Sequence, residues 1–314
     1  MKKEKIIVIV GPTAVGKTSL SIKIAKKFNG EIISGDSMQI YKDLDIGTAK
    51  VTSKEKKGIP HHLIDMKAVE EDYSVADFQK EASDKISDIM DRGRRPIIVG
   101  ASGLYIESLL FPVSHAKVAA NTAFRENLEQ FAKDMGNEAL WKRLNHLDPK
   151  AANKIHPNNI RRVIRALEVY EETGKLFSTF QNERKKKKSR YDYFIIGLNT
   201  DRTLLYERIN YRVDKMVEKG LVGEAKNLWS KVGPELKTQS TKGIGYKELF
   251  NYFNGKIALK EAIDLIKKHS RHYAKRQLTW FRNRFKNIHW YDLVQEPKTI
   301  ENSYQEIGEF LEND

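Results

Sequence analysis

Short apolar runs alternate with amphipathic stretches along the first hundred residues of the chain. Residues 6–10, 31–34 and 96–99 are rich in isoleucine and valine and are followed by glycine or small residues, which predicts buried parallel strands. Residues 19–28 and 75–90 carry apolar side chains at intervals of three and four, which predicts helices. Strands that alternate with helices in this way predict a parallel sheet with helices on both faces. Ligands of such folds bind beyond the carboxyl ends of the strands.

The pattern changes after residue 114. Apolar residues from Phe124 to Met135 recur at intervals of four, three and four, and no strand-like run returns before residues 193–198. We therefore predict an all-helical insertion in an α/β core, with further helices to about residue 285 and a last strand near residues 289–293. The predicted division is residues 1–114 and 191–314 for the core and residues 115–190 for the insertion.

A phosphate-binding motif lies between the first predicted strand and the first predicted helix. Its sequence GPTAVGKT fits G-x-x-x-x-G-K-[ST], in which the glycines let successive backbone N–H groups face a phosphate. Lys17 supplies a positive charge and Thr18 a hydroxyl for Mg²⁺. The motif predicts a bound polyphosphate without identifying it. The residues of this phosphate loop are Gly11, Pro12, Thr13, Ala14, Val15, Gly16, Lys17 and Thr18.

Nucleotide hydrolases with this loop also need an acidic residue that ends a hydrophobic strand and holds magnesium. The strand at residues 96–99 is followed instead by Gly-Ala-Ser-Gly, which favours a kinase-like transferase with a small phosphorylated substrate. Asp36, which follows the second strand, is a candidate general base. Ser102 is a candidate hydrogen-bond donor to a substrate or transition state. A turn or helix-cap role is the alternative for both residues.

Composition narrows the chemistry further. The chain has no cysteine, which excludes disulfides, cysteine-ligated metals and a thiol nucleophile. Its longest aliphatic run, residues 6–10, is far below the roughly 18 residues that cross a bilayer. We therefore expect a cytoplasmic protein without a membrane segment. His61 and His62 are expected to be structural, because neighbours on a strand point to opposite sides and make a poor metal site.

The charge indicates a polyanionic partner. The 314 residues contain 56 Lys and Arg against 42 Asp and Glu, a net charge of +14. Arg161 and Arg165 lie one helical turn apart, and basic residues alternate with aromatic ones over residues 267–286. Such patches suit phosphate contacts and base stacking, so RNA binding is predicted. A solvated basic surface without a partner is the alternative.

With these motifs in place, the chain resembles the tRNA dimethylallyltransferases, bacterial enzymes that prenylate N6 of the adenosine next to the anticodon. The matching stretches run in order across nearly the whole chain. They are GPTAVGKT (11–18), SGDSMQIYKDLDIGTAK (34–50), HHLID (61–65), IVGASGLY (98–105), RRVIRALEVYEETGK (161–175), RVDKMVEKGL (212–221), GIGYKEL (243–249) and AKRQLTWFR (274–282).

The resemblance implies a P-loop NTPase-like parallel sheet flanked by helices, with a helical insertion that contacts tRNA. It implies dimethylallyl diphosphate as donor, Mg²⁺ as cofactor, and a phosphate loop that holds the donor's diphosphate without phosphoryl transfer. Asp36 would take the N6 proton of adenosine 37, and Ser102 would assist at the reacting centre. Lys17 and Arg212 would neutralise the diphosphate, and Thr18 would face the metal.

The resemblance also implies a set of residues that bind the anticodon stem-loop of tRNA. The family usually has threonine where this chain has Ser102, and serine keeps the hydroxyl. Arg125 lacks the Asp-Pro pair that precedes the matching arginine in the family. The implied tRNA-binding residues are Asp36, Ser37, Met38, Gln39, Ser102, Arg125, Arg161, Arg162, Val163, Ile164 and Arg165.

Two other functions remain open from the sequence. A P-loop kinase or prenyltransferase that acts on a free nucleotide would use the same phosphate loop but would not need a basic helical insertion. A non-catalytic RNA-binding protein would not need Lys17, Asp36 and Ser102 at the ends of strands. We expect the chain to act as a monomer.

Overall fold

The computed structural model describes residues 3–111, 121–180, 188–233 and 238–313. The chain forms two compact units, the first of Met1–Leu110 with Arg190–Asp314 and the second of Phe111–Ser189. The second unit thus begins four residues before the predicted insertion. Most of the charged stretch before residue 190, including three of the four lysines at 185–188, lies outside the described residues.

A six-stranded parallel sheet forms the centre of the first unit, which confirms the predicted fold class. The strand order is β3-β2-β4-β1-β5-β6. Each strand predicted from an apolar run is present, with ends that differ by one or two residues. The strands are β1 (Lys5–Val10), β2 (Gly30–Ser34), β3 (His61–His62), β4 (Arg95–Gly100), β5 (Asp192–Leu198) and β6 (Ile288–Tyr291).

Helices connect the strands and form the second unit. The two predicted in the first hundred residues are confirmed, and the later part of the core is helical up to β6 as expected. The helices are α1 (Lys17–Lys27), α2 (Ser53–Lys56), α3 (Val75–Asp91), α4 (Gly103–Leu110), α5 (Thr122–Met135), α6 (Asn137–Leu147), α7 (Pro149–Ala152), α8 (Ile160–Thr173), α9 (Arg202–Glu218), α10 (Leu221–Val232), α11 (Tyr246–Phe253), α12 (Leu259–Arg284) and α13 (Ile300–Glu312).

The central strands are buried on both faces, as their continuous apolar sequences require. Every side chain from Ile6 to Val10 of β1 is fully buried, and Ile97 of β4 and Ile196 of β5 pack in the same core. Because the strands are parallel, their carboxyl ends meet at one edge of the sheet. The loops that follow β1, β2 and β4 therefore start side by side at this edge. In the described ranges, no helix combines the length and the apolar character that crossing a bilayer needs.

The second unit has an apolar core of its own. Leu128 of α5, Leu140 and Leu144 of α6, and Val163 of α8 are buried together. Asn121 begins α5 by accepting a hydrogen bond from Phe124 N, and Gly174 ends α8 in a left-handed conformation. The sequence thus forms a separate helical unit, as the spacing of its apolar residues predicts.

Candidate active site

The phosphate loop connects β1 to α1 through left-handed backbone. Gly11 and Gly16 have φ angles of 144° and 95°, and Ala14 has 68°. A Cβ on Gly11 would lie 2.4 Å from the carbonyl oxygen of Leu198 in β5, so only glycine fits there. Gly16 caps α1 without a side chain, which leaves the first N–H groups of this helix for an anion.

Two cations and one carboxylate interact electrostatically beside this loop. Lys17 is half-buried, and its Nζ donates to the carbonyl oxygens of Gly11 at 2.9 Å and Pro12 at 2.6 Å. Burial, and then the nearby Arg212 of α9, lower the pKa of Lys17 to about 7, although Asp36 opposes the shift. Burial also lowers the pKa of Arg212, again opposed by Asp36. A dianionic ligand would relieve the repulsion between the two cations.

The turn that carries Asp36 contacts Ser102, although Ser37 and Ser102 lie 65 positions apart in sequence. Asp36 Oδ1 accepts a hydrogen bond from Met38 N at 2.9 Å, so the turn role considered for this residue is present. Ser102 Oγ accepts from Ser37 N at 3.1 Å and donates to Ser37 Oγ at 3.3 Å. These bonds hold the backbone of the turn that carries Asp36 against the Ser102 hydroxyl, on the β2–β4 side of the phosphate loop.

The loop that follows Asp36 is held by residues that the sequence analysis did not identify. The carboxylate of Glu224 in α10 accepts backbone N–H groups at Asp45, Ile46 and Gly47, over 2.7–2.8 Å. It also accepts the hydroxyl of Tyr246 at 2.7 Å. Glu224 looks like an ordinary helix glutamate in sequence, because three of its four donors lie 177–179 residues away and the fourth lies 22 residues away.

Helix α12 also contributes a polar face to the site. Gln277 is 4% exposed, and Tyr273 lies one turn before it. Burial and the charge of Asp36 raise the pKa of Tyr273, while hydrogen bonds to Gln277 and Ser102 lower it. The sequence predicts RNA contacts for this stretch. The signal for a role in the site is a glutamine and a tyrosine four residues apart, on the same side as Phe281.

Two of the predicted tRNA-binding residues have their side chains in the core of the second unit. Val163 and Ile164 are 0% and 2% exposed there, and contact of their segment with tRNA stays a prediction. Their positions on the apolar face of α8 require this burial, since valine and isoleucine there close the packing against α5 and α6. Arg161 and Arg162 lie on the exposed side of the same helix.

Arg125 and Arg165 have a structural partner that the sequence analysis did not identify. Arg125 donates to both oxygens of the buried Glu168 at 2.7 and 2.8 Å, and Arg165 donates at 2.5 Å. Burial raises the pKa of Glu168, but the two arginines and Asn121 N outweigh it and lower the pKa overall. Arg125 therefore joins α5 to α8, and Arg165 binds the same carboxylate from within α8. Their contact with tRNA stays a prediction.

The paired histidines occupy structural positions. His62 Nε2 lies 2.6 Å from Glu31 Oε2, and His61 Nδ1 lies 2.8 Å from the carbonyl of Ile59. Arg92 also donates to Glu31, at 2.8 Å. This cluster lies at the β2–β3 edge and accounts for the buried Glu31.

A cavity of about 240 Å³ lies on the other side of the phosphate loop from Asp36. Its walls include Val15 and Gly16 of the loop, Arg208 of α9, and Leu293 beyond β6. Because β5 and β6 lie on the opposite side of β1 from β2 and β4, the cavity does not include the carboxylate or Ser102. The reacting groups are therefore expected on the β2–β4 side.

Comparison with known proteins shows which family has this sequence and fold. A model of the family described as IPP transferase matches residues 39–284. The chain belongs to this family. It is 54% identical over 311 residues to a tRNA dimethylallyltransferase of Enterococcus faecalis, covering 98% of each chain. It is 52% identical over 300 residues to that of Bacillus cytotoxicus, covering 96% of this chain and 94% of the relative.

Solved structures of family members have the same fold. A full-length tRNA isopentenylpyrophosphate transferase from Bacillus halodurans matches with a TM-score of 0.74 and 48% identity, over 99% of this chain and 97% of that one. A eukaryotic dimethylallyltransferase, described as acting on tRNA, matches with a TM-score of 0.82 and 34% identity, over 97% and 77%. The protein is therefore a transferase of the IPP transferase family.

Proposed function

We propose that this protein transfers a dimethylallyl group from dimethylallyl diphosphate to N6 of adenosine 37 in tRNA and releases diphosphate. The observation that carries the proposal is the pair Lys17 and Arg212 beside the carboxylate of Asp36, at the carboxyl edge of the sheet. The two cations suit a diphosphate leaving group, and the carboxylate suits a proton acceptor. Membership of the IPP transferase family supports this pairing of substrates.

Departure of the diphosphate is the step that the protein has to assist. The exocyclic amine of adenine is a weak nucleophile because its lone pair is drawn into the ring. Breaking the allylic C–O bond leaves a delocalised carbocation and transfers negative charge to the diphosphate. The N–H groups at the start of α1, Lys17 and Arg212 stabilise that charge electrostatically.

A magnesium ion fits this site. Thr18 lies exposed in the first turn of α1 and offers a hydroxyl oxygen, a hard ligand of the kind Mg²⁺ prefers. Mg²⁺ sites in phosphate-binding proteins commonly use one or two protein oxygens together with phosphate oxygens. Bound there, the ion would add positive charge beside the diphosphate.

The acceptor nucleoside belongs on the β2–β4 side of the loop. Asp36 would remove the N6 proton as the N–C bond forms. Ser37, Met38 and Gln39 follow in the same turn and would contact the target adenosine, with Ser102 beside them. The adenosine must leave its base stack to reach this position. Exposed arginines such as Arg161 and Arg162 would hold the RNA backbone.

A product assay separates this function from the main alternative. Unmodified tRNA incubated with the protein, Mg²⁺ and dimethylallyl diphosphate should gain one C5H8 unit on the adenosine next to the anticodon, seen by mass spectrometry of digested RNA. A parallel reaction with free AMP should give no product. Turnover of AMP without modification of tRNA would favour a free-nucleotide prenyltransferase, which family membership does not favour.

A further inference from the structure

One buried amide joins the two loops that border the proposed reaction centre. Gln277 projects from α12 and is 4% exposed. Its Oε1 accepts a hydrogen bond from Thr13 N at 3.3 Å, and its Nε2 donates to the carbonyl of Ala101 at 3.1 Å. Thr13 belongs to the phosphate loop after β1, and Ala101 belongs to the loop after the neighbouring strand β4.

These two loops lie next to different substrates in the proposed reaction. The phosphate loop holds the donor. Ala101 directly precedes Ser102, whose hydroxyl binds Ser37 next to Asp36 on the acceptor side. A change in the separation of the loops would therefore move the diphosphate relative to the carboxylate. Tyr273 strengthens the connection, since it shares hydrogen bonds with Gln277 and Ser102.

We infer that Gln277 is a positioning residue, which sets the spacing between the donor loop and the acceptor loop without touching either substrate. The inference rests on the proposed function for its catalytic consequence. Only a side chain with both a donor and an acceptor can make the two bonds. A buried donor or acceptor that loses its partner costs more free energy than one that water can reach. The two buried bonds of Gln277 therefore hold the loops at a fixed separation. Displacements of about 1 Å can reduce turnover by about 100-fold when reacting groups are held in line.

Two substitutions separate the two bonds. Gln277→Met preserves the length of the side chain and removes both bonds. Gln277→Glu keeps an acceptor for Thr13 N but, when ionised, cannot donate to Ala101. When protonated, the introduced carboxyl has a donor and an acceptor again, and so can replace the amide. The neighbouring Tyr273 can also titrate, but burial raises its pKa, so it stays protonated at the acidic and neutral pH values at which the introduced carboxyl titrates. Gln305→Met, at an exposed glutamine of α13, is the matched control.

The experiment measures steady-state prenyl transfer together with hydrogen exchange of the full-length proteins. We expect Gln277→Met to exchange faster in peptides that cover residues 11–18 and 98–105, and ionised Gln277→Glu to exchange faster in peptides that cover residues 98–105. Their kcat should fall by about 10- to 100-fold while KM for tRNA and donor changes little. The kcat of Gln277→Glu, relative to wild type at each pH, should recover as the pH falls, whereas that of Gln277→Met should not. The control should behave as wild type.

The outcomes separate this inference from the proposed function. Unchanged exchange in both loops would overturn the inference whatever the activity. Faster exchange with unchanged kcat would also overturn it, since Gln277 would then be only a packing residue. If the Gln277 variants exchange faster than wild type but the wild-type protein does not prenylate tRNA, the proposed function is contradicted and the link between the loops stands.

Discussion

At the scale of single residues, the site depends on backbone that few side chains tolerate. Gly11 brings the start of the phosphate loop against Leu198 in β5, at a distance that leaves no room for a Cβ. Lys17 can then fold back over the loop and bind two of its carbonyl oxygens. The position of the Lys17 ammonium therefore depends on Gly11 having no Cβ.

Gly11→Ala should therefore destabilise the protein. We expect the free energy of unfolding to fall by about 1–3 kcal/mol, because the new Cβ combines backbone strain with a contact at 2.4 Å. Denaturant titration followed by fluorescence measures this. Gly223→Ala in α10 is the control, since a Cβ there meets nothing within 4 Å and should stabilise by about 0.5–1 kcal/mol. Equal effects of the two substitutions would refute the steric account of Gly11.

Some residues of the site could be predicted from sequence and others could not. Lys17 and Thr18 belong to a motif whose spacing specifies its own geometry. Asp36 could be found because it directly follows an apolar run. Gln277 and Glu224 could not be identified from local pattern, because the backbone groups that they bind come from segments more than 170 residues away. Their function depends on tertiary contacts.

At the scale of elements, one buried carboxylate connects α5 to α8 in the second unit. Glu168 of α8 is fully buried, while its partners Arg125 and Arg165 are 39% and 32% exposed. Arg165 lies three residues before Glu168 in the same helix, so that pair is local in sequence. In sequence, Arg125 is typical of a solvated basic face, and only the tertiary packing of α5 against α8 shows that it neutralises a glutamate. The same packing explains why Val163 and Ile164 are core residues.

Glu168→Gln should weaken this unit, and the effect should depend on pH. Its folded pKa is lowered, so the carboxylate stabilises the fold above the ordinary glutamate pKa of about 4.3 and loses this effect as the pH falls through the folded value. We expect a loss of about 2 kcal/mol at neutral pH, less than for a fully buried pair because both arginines reach solvent.

Hydrogen exchange of α5 and α8 in the full chain measures this effect. The difference between wild type and Glu168→Gln should shrink as the pH is lowered below about 4. Glu171→Gln, at an exposed position of the same helix, is the control and should match wild type. A difference that grew on acidification would contradict the assigned direction of the pKa shift.

The loop after β2 depends on α10 in a similar way. Glu224→Gln would turn an amide NH2 toward groups that are themselves donors, at Asp45, Ile46 and Gly47. We expect faster amide exchange at these residues and a higher KM for tRNA, since Gln39 bonds to Thr48 of the same loop. Glu218→Gln, at an exposed glutamate paired with Lys215, serves as control. Unaltered exchange at residues 45–47 would contradict this role.

At the scale of the whole molecule, the basic residues that give the net charge of +14 fall into three groups. Lys17 and Arg212 belong to the core site, and the structure pairs Arg125 and Arg165 with Glu168. Exposed cations such as Arg161 remain for a polyanion. The charge of the sequence therefore overstates the number of groups that are free to hold RNA.

The affinity for tRNA should fall steeply with salt concentration. Each phosphate neutralised contributes about 0.7–0.9 to the slope of log K against log salt. Fluorescence anisotropy with labelled tRNA should give a slope that corresponds to several contacts, and Arg161→Ala should reduce it by about 1. A flat salt response would mean that the positive charge is surface without a role in RNA binding.

The central claim is that a carboxylate at the end of β2 takes the proton while the phosphate loop holds the leaving diphosphate. Asp36→Asn tests it most directly, because the amide oxygen can still accept the hydrogen bond from Met38 N that keeps the turn. Asp43→Asn, an exposed aspartate in the following loop, is the control. Single-turnover prenyl transfer and tRNA affinity are measured on the same preparations. The account predicts a rate for Asp36→Asn lower by about 10²–10⁴-fold, with tRNA affinity retained and the control unaffected. An unchanged rate would contradict it.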